Sequence, residues 1–159
     1  MRSIQKSLEI LEKSKLFNEW KKEHKAAYLC NVFLIGEIKG IGNVPLQFDY
    51  YFRNKITSFT VDKEVKIGNE EEIFGKGDVE KLDINVRIPL ENALEIAAGL
   101  GSEKYPNERF EKAIIIMQKS LWSITFLTQN FNVFNVKLDA DKGDIIEEKL
   151  VSVFNFKKQ

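Results

Sequence analysis

The sequence predicts an α+β fold in which helices pack on a curved antiparallel sheet. Two stretches carry the helical period, and several shorter ones alternate apolar with polar residues. Tight-turn residues separate the alternating stretches, which favours hairpins over crossover connections.

The elements follow in order. Residues 3–24 read as one amphipathic helix, with Ile4, Leu8, Ile10 and Leu11 at helical spacing, then Leu16, Phe17 and Trp20. Ser3 is its N-cap, and Leu8, Leu11 and Trp20 should be buried. Lys21, Lys22, His24 and Lys25 crowd the last turn, where cations oppose the helix dipole. Tyr28 to Ile38 is apolar enough for a central strand, and Lys39 to Asn43 is a turn. Leu46, Phe48, Tyr50 and Phe52 alternate with polar residues and with Tyr51, Arg53-Asn54-Lys55 turns, and Ile56 to Val61 returns. Val65 and Ile67 add a short extension. Residues 68–81, rich in Gly and Glu, read as a mobile polar loop. Leu82, Ile84, Val86 and Ile88 alternate as another strand. A helix starts at Pro89 and stops at Gly99 and Gly101. Residues 107–118 fit either a helix or a buried strand. Strands over Leu121–Thr128, Phe131–Leu138 and Ile145–Phe156 close the chain.

This length suits a single domain over 1–159, with halves 1–67 and 82–159 joined by the loop. Each half gives a helix and then a meander. Phe48, Tyr50, Phe59, Val61 and Asp62 lay onto Ile124, Phe126, Val136, Leu138 and Asp139, either as two pseudo-repeats or as the common pattern of any alternating hairpin. Lys plus Arg equal Asp plus Glu at 24 each, so no global charge draws the chain to nucleic acid or to an anionic membrane. The one cysteine, Cys30, has no disulfide partner, and Met1 to Lys6 lead into charged helix instead of an apolar signal segment. Both features point to the cytoplasm.

Residues 82–148 carry a helix, Pro89-Leu90-Glu91-Asn92-Ala93-Leu94-Glu95-Ile96-Ala97, and a strand beginning at Trp122-Ser123-Ile124-Thr125-Phe126. A second strand and turn follow, from Val136-Lys137-Leu138-Asp139-Ala140 through Gly143 to Ile146. This segment resembles the PepSY family. The resemblance implies a cystatin-like helix on a curved antiparallel sheet, and a role in binding or inhibiting peptidases, usually outside the cell.

Chemistry-bearing residues are few. Asp139, Asp141 and Asp144 cluster, but Gly143 stands fifth and Leu150 twelfth from Asp139, which fits a hairpin turn and not a calcium loop. His24 is the single histidine and reads as a helix-end residue, while Cys30 reads as a buried strand thiol. Asp49 faces away from its aromatic neighbours, on a solvated strand face. No metal or cofactor is expected.

Aromatic residues are the informative excess. Tyr50, Tyr51, Phe52, Trp122, Phe131 and Phe134 are the candidate ligand-binding residues, because both strand parities carry aromatics around them. Either the sheet shows these rings on an open face, or helices cover one face and the loop 68–81 the other. The expected function is a non-enzymatic binding module for a protein or an apolar small molecule, dimeric through a sheet edge or face. The alternative is a small enzyme using carboxylate or tyrosine chemistry in a pocket of the sheet.

Overall fold

Side chains alternate across a strand, so a stretch with one apolar parity folds with that parity against a second layer. The alternating segments here form one antiparallel sheet with helices on a single face. In the computed structural model, which describes residues 3–73 and 79–154, the chain runs α1 (Ile4–Lys13), α2 (Lys15–Glu23), β1 (Tyr28–Glu37), a 3-10 helix (Ile38–Asn43), β2 (Leu46–Phe52), β3 (Lys55–Val61) and β4 (Val65–Glu72). It continues with α3 (Leu90–Lys104), β5 (Phe110–Gln118), β6 (Leu121–Thr128), β7 (Asn132–Asp139) and β8 (Ile145–Ser152). The sheet order is β4-β3-β2-β1-β5-β6-β7-β8. Left-handed residue pairs, Arg53-Asn54 and Lys119-Ser120, close the β2–β3 and β5–β6 hairpins, as the right-handed strand twist requires of two-residue turns.

The core lies between helices and sheet. Phe48, Phe59, Trp122, Phe126 and Phe134 are fully buried there. The α1–α2 pair covers β2, β3 and β4, while α3 covers β6 and β7. The halves meet at the central ladder, where Val32 faces Met117 and Leu34 faces Ile115.

Several expectations are corrected. Residues 3–24 are two helices, because Ser14 is extended (φ −73°, ψ 145°). Its hydroxyl donates to the Leu11 carbonyl at 2.7 Å and accepts from the Phe17 amide at 3.2 Å, so one side chain ends α1 and starts α2. The break rotates the faces: Leu11 and Phe17 are buried, Leu8 and Trp20 are half-buried, and Ile10 and Leu16 are exposed. The loop expected at 68–81 begins as strand, since Gly68 to Glu72 continue β4 along the edge of β3. Residues 74–78 lie outside the described residues. The strand expected over Leu82–Ile88 joins no ladder. Residues 79–89 instead form a strap along the end of the sheet where β1 begins. The Tyr28 hydroxyl donates to the Val79 carbonyl, the Leu82 amide to Leu29 (2.8 Å) and the Ile88 amide to Ala140 (2.8 Å). Its alternation is real, with Leu82 in the core and Ile84, Val86 and Ile88 packed against it. The ambiguous segment is β5. Finally, α3 runs through Gly99 and Gly101. A Cβ on Gly101 would stand 2.3 Å from the Phe110 ring, so this glycine serves close packing and does not stop the helix.

Candidate functional site

A cleft of about 690 Å³ opens on the helix face. Its floor is set by aromatic packing of α2 on the sheet: Phe17 lies 5.1 Å from Tyr50 and 5.3 Å from Phe59. Leu8 and Glu12 of α1, Lys21 of α2, Leu29 of β1 and the strap residues Lys81 to Ile84 form the walls. Burial, with Glu12 adding to it, holds the Tyr50 hydroxyl above its ordinary pKa of 10. It is therefore a neutral hydrogen-bond donor at physiological pH, not a proton acceptor. Lys21 donates to the carbonyls of His24 (3.4 Å), Lys25 (2.9 Å) and Ala27 (2.6 Å).

The opposite face of the sheet carries a different constellation. Asp49, only 8% exposed, accepts hydrogen bonds from Asn31 (2.8 Å), Gln47 (2.9 Å) and Ser58 (2.7 Å). The expectation of a solvated Asp49 is thus corrected: it does point away from the aromatic side, but neighbours on three strands close over it. It borders a polar cavity of about 390 Å³ with Asn69 and Glu71. The expectation that the loop 68–81 covers this face also fails among the described residues. Residues 68–72 lie at the sheet's edge, and outward-pointing Phe33, Ile114, Ile116 and Leu127 are half-exposed while Ile35 is 50% exposed.

The six candidate aromatics do not converge. Tyr50 alone lines the cleft. Tyr51 points to the opposite face, 5.3 Å from the Tyr28 ring, and its hydroxyl donates to Asn54 (2.9 Å). Phe52 packs edge-on against His24 at 5.0 Å. Trp122 is 1% exposed, its indole N–H donating to the Ile88 carbonyl at 2.8 Å. Phe134 stacks with Phe110 in the core. Phe131 sits at a hairpin tip with φ 61° and 62% exposure, against Phe154. The residues missed were Glu12, Lys21 and Lys81, whose charge in helix and loop sequence reads as solvation.

The remaining candidates have structural roles. His24 caps α2, its Nδ1 lying 2.7 Å from the Trp20 carbonyl oxygen and its ring stacked 4.3 Å from the Trp20 ring. The Cys30 thiol donates to the Asp49 carbonyl at 3.3 Å, and burial, then the Asp49 charge, push it up to about 12. These separate partners leave no Cys–His couple. Asp139 accepts from the amides of Asp141 and Lys142, both at 2.8 Å, which holds its carboxyl below the ordinary value. Gly143 follows at φ 78°, so the turn assignment stands. No His, Cys, Asp or Glu group among the described residues is placed to hold a metal. No described helix is long and apolar enough to cross a membrane.

No family model matches the chain, and no curated protein matches it. A solved structure does: a candidate lipoprotein of Clostridium difficile 630 aligns over 86% of this chain and 90% of that one, with a TM-score of 0.51 and 14% identity. At that identity the likeness is one of fold, and it supports an α+β chain built on an antiparallel sheet.

Proposed function

We propose that this chain is a non-enzymatic binding module whose helix-face cleft takes an apolar small molecule. The observation that carries it is the cleft itself, an opening of about 690 Å³ walled by Leu8, Phe17, Leu29 and Leu82, in the size range of small-molecule sites. Tyr50, which lines the same cleft, supplies a polar group. The alternative, tyrosine and carboxylate chemistry, has Glu12 and Tyr50 in the same cleft in its favour. However, a phenol held above its ordinary value is the opposite of what a tyrosine base requires. The test is uptake of a neutral solvatochromic dye such as Nile red. Leu8→Trp, which fills the cleft from α1, should abolish the dye signal, and Ile35→Ser on the opposite face should leave it unchanged. Loss of signal with Ile35→Ser alone would move the site to the other face.

We also propose that the fold is a pair of cystatin-like repeats, as the PepSY resemblance of residues 82–148 implies. Each half runs from helix into a four-stranded meander. The pairs Phe48–Phe59 and Ile124–Val136 occupy like places in their hairpins. The central pairs Val32–Met117 and Leu34–Ile115 exchange when Val32 is matched to Ile115 and Leu34 to Met117, as a two-fold relation demands. A cytoplasmic location fits the lone buried thiol. Cell fractionation that finds the chain outside the cytoplasm would overturn it.

A further inference from the structure

The charges at the cleft say what an occupant's polar end should be. Lys21 is fixed in place, because three backbone carbonyls take its ammonium hydrogens. Carbonyls hold a cation without cancelling its charge. Lys81, on the strap, lines the same cleft and is near enough for its charge to act on Lys21. Among the described residues neither lysine has a carboxylate within ion-pair distance, the ion pairs lying elsewhere. Two carboxylates also line the cleft. Asp83 is turned to its own strap, accepting from the Asn85 amide at 2.9 Å. Glu12 acts on Tyr50. Among the described residues the two lysines thus form no ion pair, even with Glu12 and Asp83 along the same walls, and an anionic group placed between them relieves their mutual repulsion.

We propose that the cleft's ligand is an acidic amphiphile, with its anionic head between Lys21 and Lys81 and its hydrocarbon part against Leu8, Leu29 and Leu82. This rests on the cleft being a binding site, and it adds the sign of the ligand's charge. Lys21, its three hydrogens already given to carbonyls, offers its charge and Lys81 can donate directly; a carboxylate and a phosphate monoester are drawn to this pair in the same way, so the shared property is a compact anionic head on an apolar body. Tyr50, a neutral donor lining the same cleft, suits an uncharged oxygen or an aromatic body.

The test uses the full chain and titrates decanoate, decyl phosphate, decanol and decyltrimethylammonium against bound Nile red, the ionic ones below their micelle concentrations and decanol below its solubility limit. Both anions should displace the dye at concentrations about tenfold lower than decanol, and the cation should be weakest. Lys81 is exposed and makes no ion pair among the described residues, so Lys81→Gln keeps the fold. It should raise the concentration of either anion needed about fivefold to tenfold and leave decanol unchanged. Equal displacement by decanol and decanoate, or a Lys81→Gln change that affects decanol as much as decanoate, would overturn the anionic preference while the cleft stands. A wild-type chain that takes up no Nile red at all would remove the binding site itself. If one anion alone shows the preference and the Lys81→Gln loss, the head is that group.

Discussion

Gly99 and Gly101 stand two residues apart in α3 and face opposite circumstances. A Cβ on Gly99 meets open space, while one on Gly101 meets the Phe110 ring at 2.3 Å and the Phe134 ring at 3.0 Å. Alanine is better than glycine in a helix by about 1 kcal/mol, so Gly99→Ala should stabilise the protein by about 0.5–1 kcal/mol. At Gly101 the same gain is opposed by overpacking against stacked rings, about 1–3 kcal/mol, so Gly101→Ala should destabilise. Urea denaturation of the two variants checks the pair, and equal stabilisation would mean the Phe110 ring yields freely. Cys30 gives a second test at this scale. Its thiol ordinarily ionises near 9 and is pushed up to about 12 in the folded chain. Folding therefore favours the protonated thiol: the contribution is complete below pH 9 and is lost as pH rises through about 12. Tyr50, also held above its ordinary value of 10, adds a loss of the same sign at higher pH. Stability should fall from pH 9 upward, with a shallower slope in Cys30→Ala; an unchanged slope would contradict the buried thiol.

At the scale of elements, what the sequence made legible depends on which faces an element buries. β2, β3, β6 and β7 each bury one face, so their alternation could be read directly from Phe48, Tyr50, Phe59, Ile124 and Val136. β5 is central and apolar on both parities from Ala113 to Met117, which removes the alternation that separates strand from helix. β4 is an edge strand whose Gly68 to Glu72 are all exposed, so no face marks it, and edge charges of this kind discourage pairing with other chains. The strap has the opposite property: Leu82 to Ile88 alternate because one side lies on the core, yet no strand pairs with them. The break at Ser14 was hidden because the apolar spacing continues on both sides of it. That serine carries two hydrogen bonds, to Leu11 and from Phe17. Ser14→Ala should therefore cost about 1 kcal/mol, and a thermal-unfolding midpoint equal to that of the unsubstituted chain would count against the double cap.

The whole molecule explains why the cleft was illegible. Its walls come from α1, α2, β1, β2 and the strap, segments separated by up to seventy-odd residues, and only the sheet order brings Tyr50 beside Lys81 and Leu82. Local patterns carry the element types; they do not carry which loop end returns to which helix. The sheet has a further consequence for cooperativity. The halves share the β1–β5 ladder, from Val32–Met117 to Glu37–Lys112, and one continuous core that includes Phe17 and Phe48 with Phe126 and Phe134. Opening either half would expose the apolar ladder residues Val32, Leu34, Ile115 and Met117, all at most 2% exposed in the fold. That penalty ties the halves into one unfolding unit. The chain has two tryptophans, one in each half: Trp20 on α2, packed over Phe59 at 5.1 Å, and Trp122 on β6. Trp20→Phe leaves Trp122 as the reporter and Trp122→Phe leaves Trp20. Each substitution shifts overall stability, so the comparison is made within a variant, between tryptophan fluorescence and far-ultraviolet circular dichroism. We expect the two signals to coincide in denaturant for both variants, because the reporter in either half then follows the whole chain. A fluorescence midpoint that departs from the dichroism midpoint, in opposite directions for the two variants, would show that the halves unfold separately and that the central ladder does not couple them.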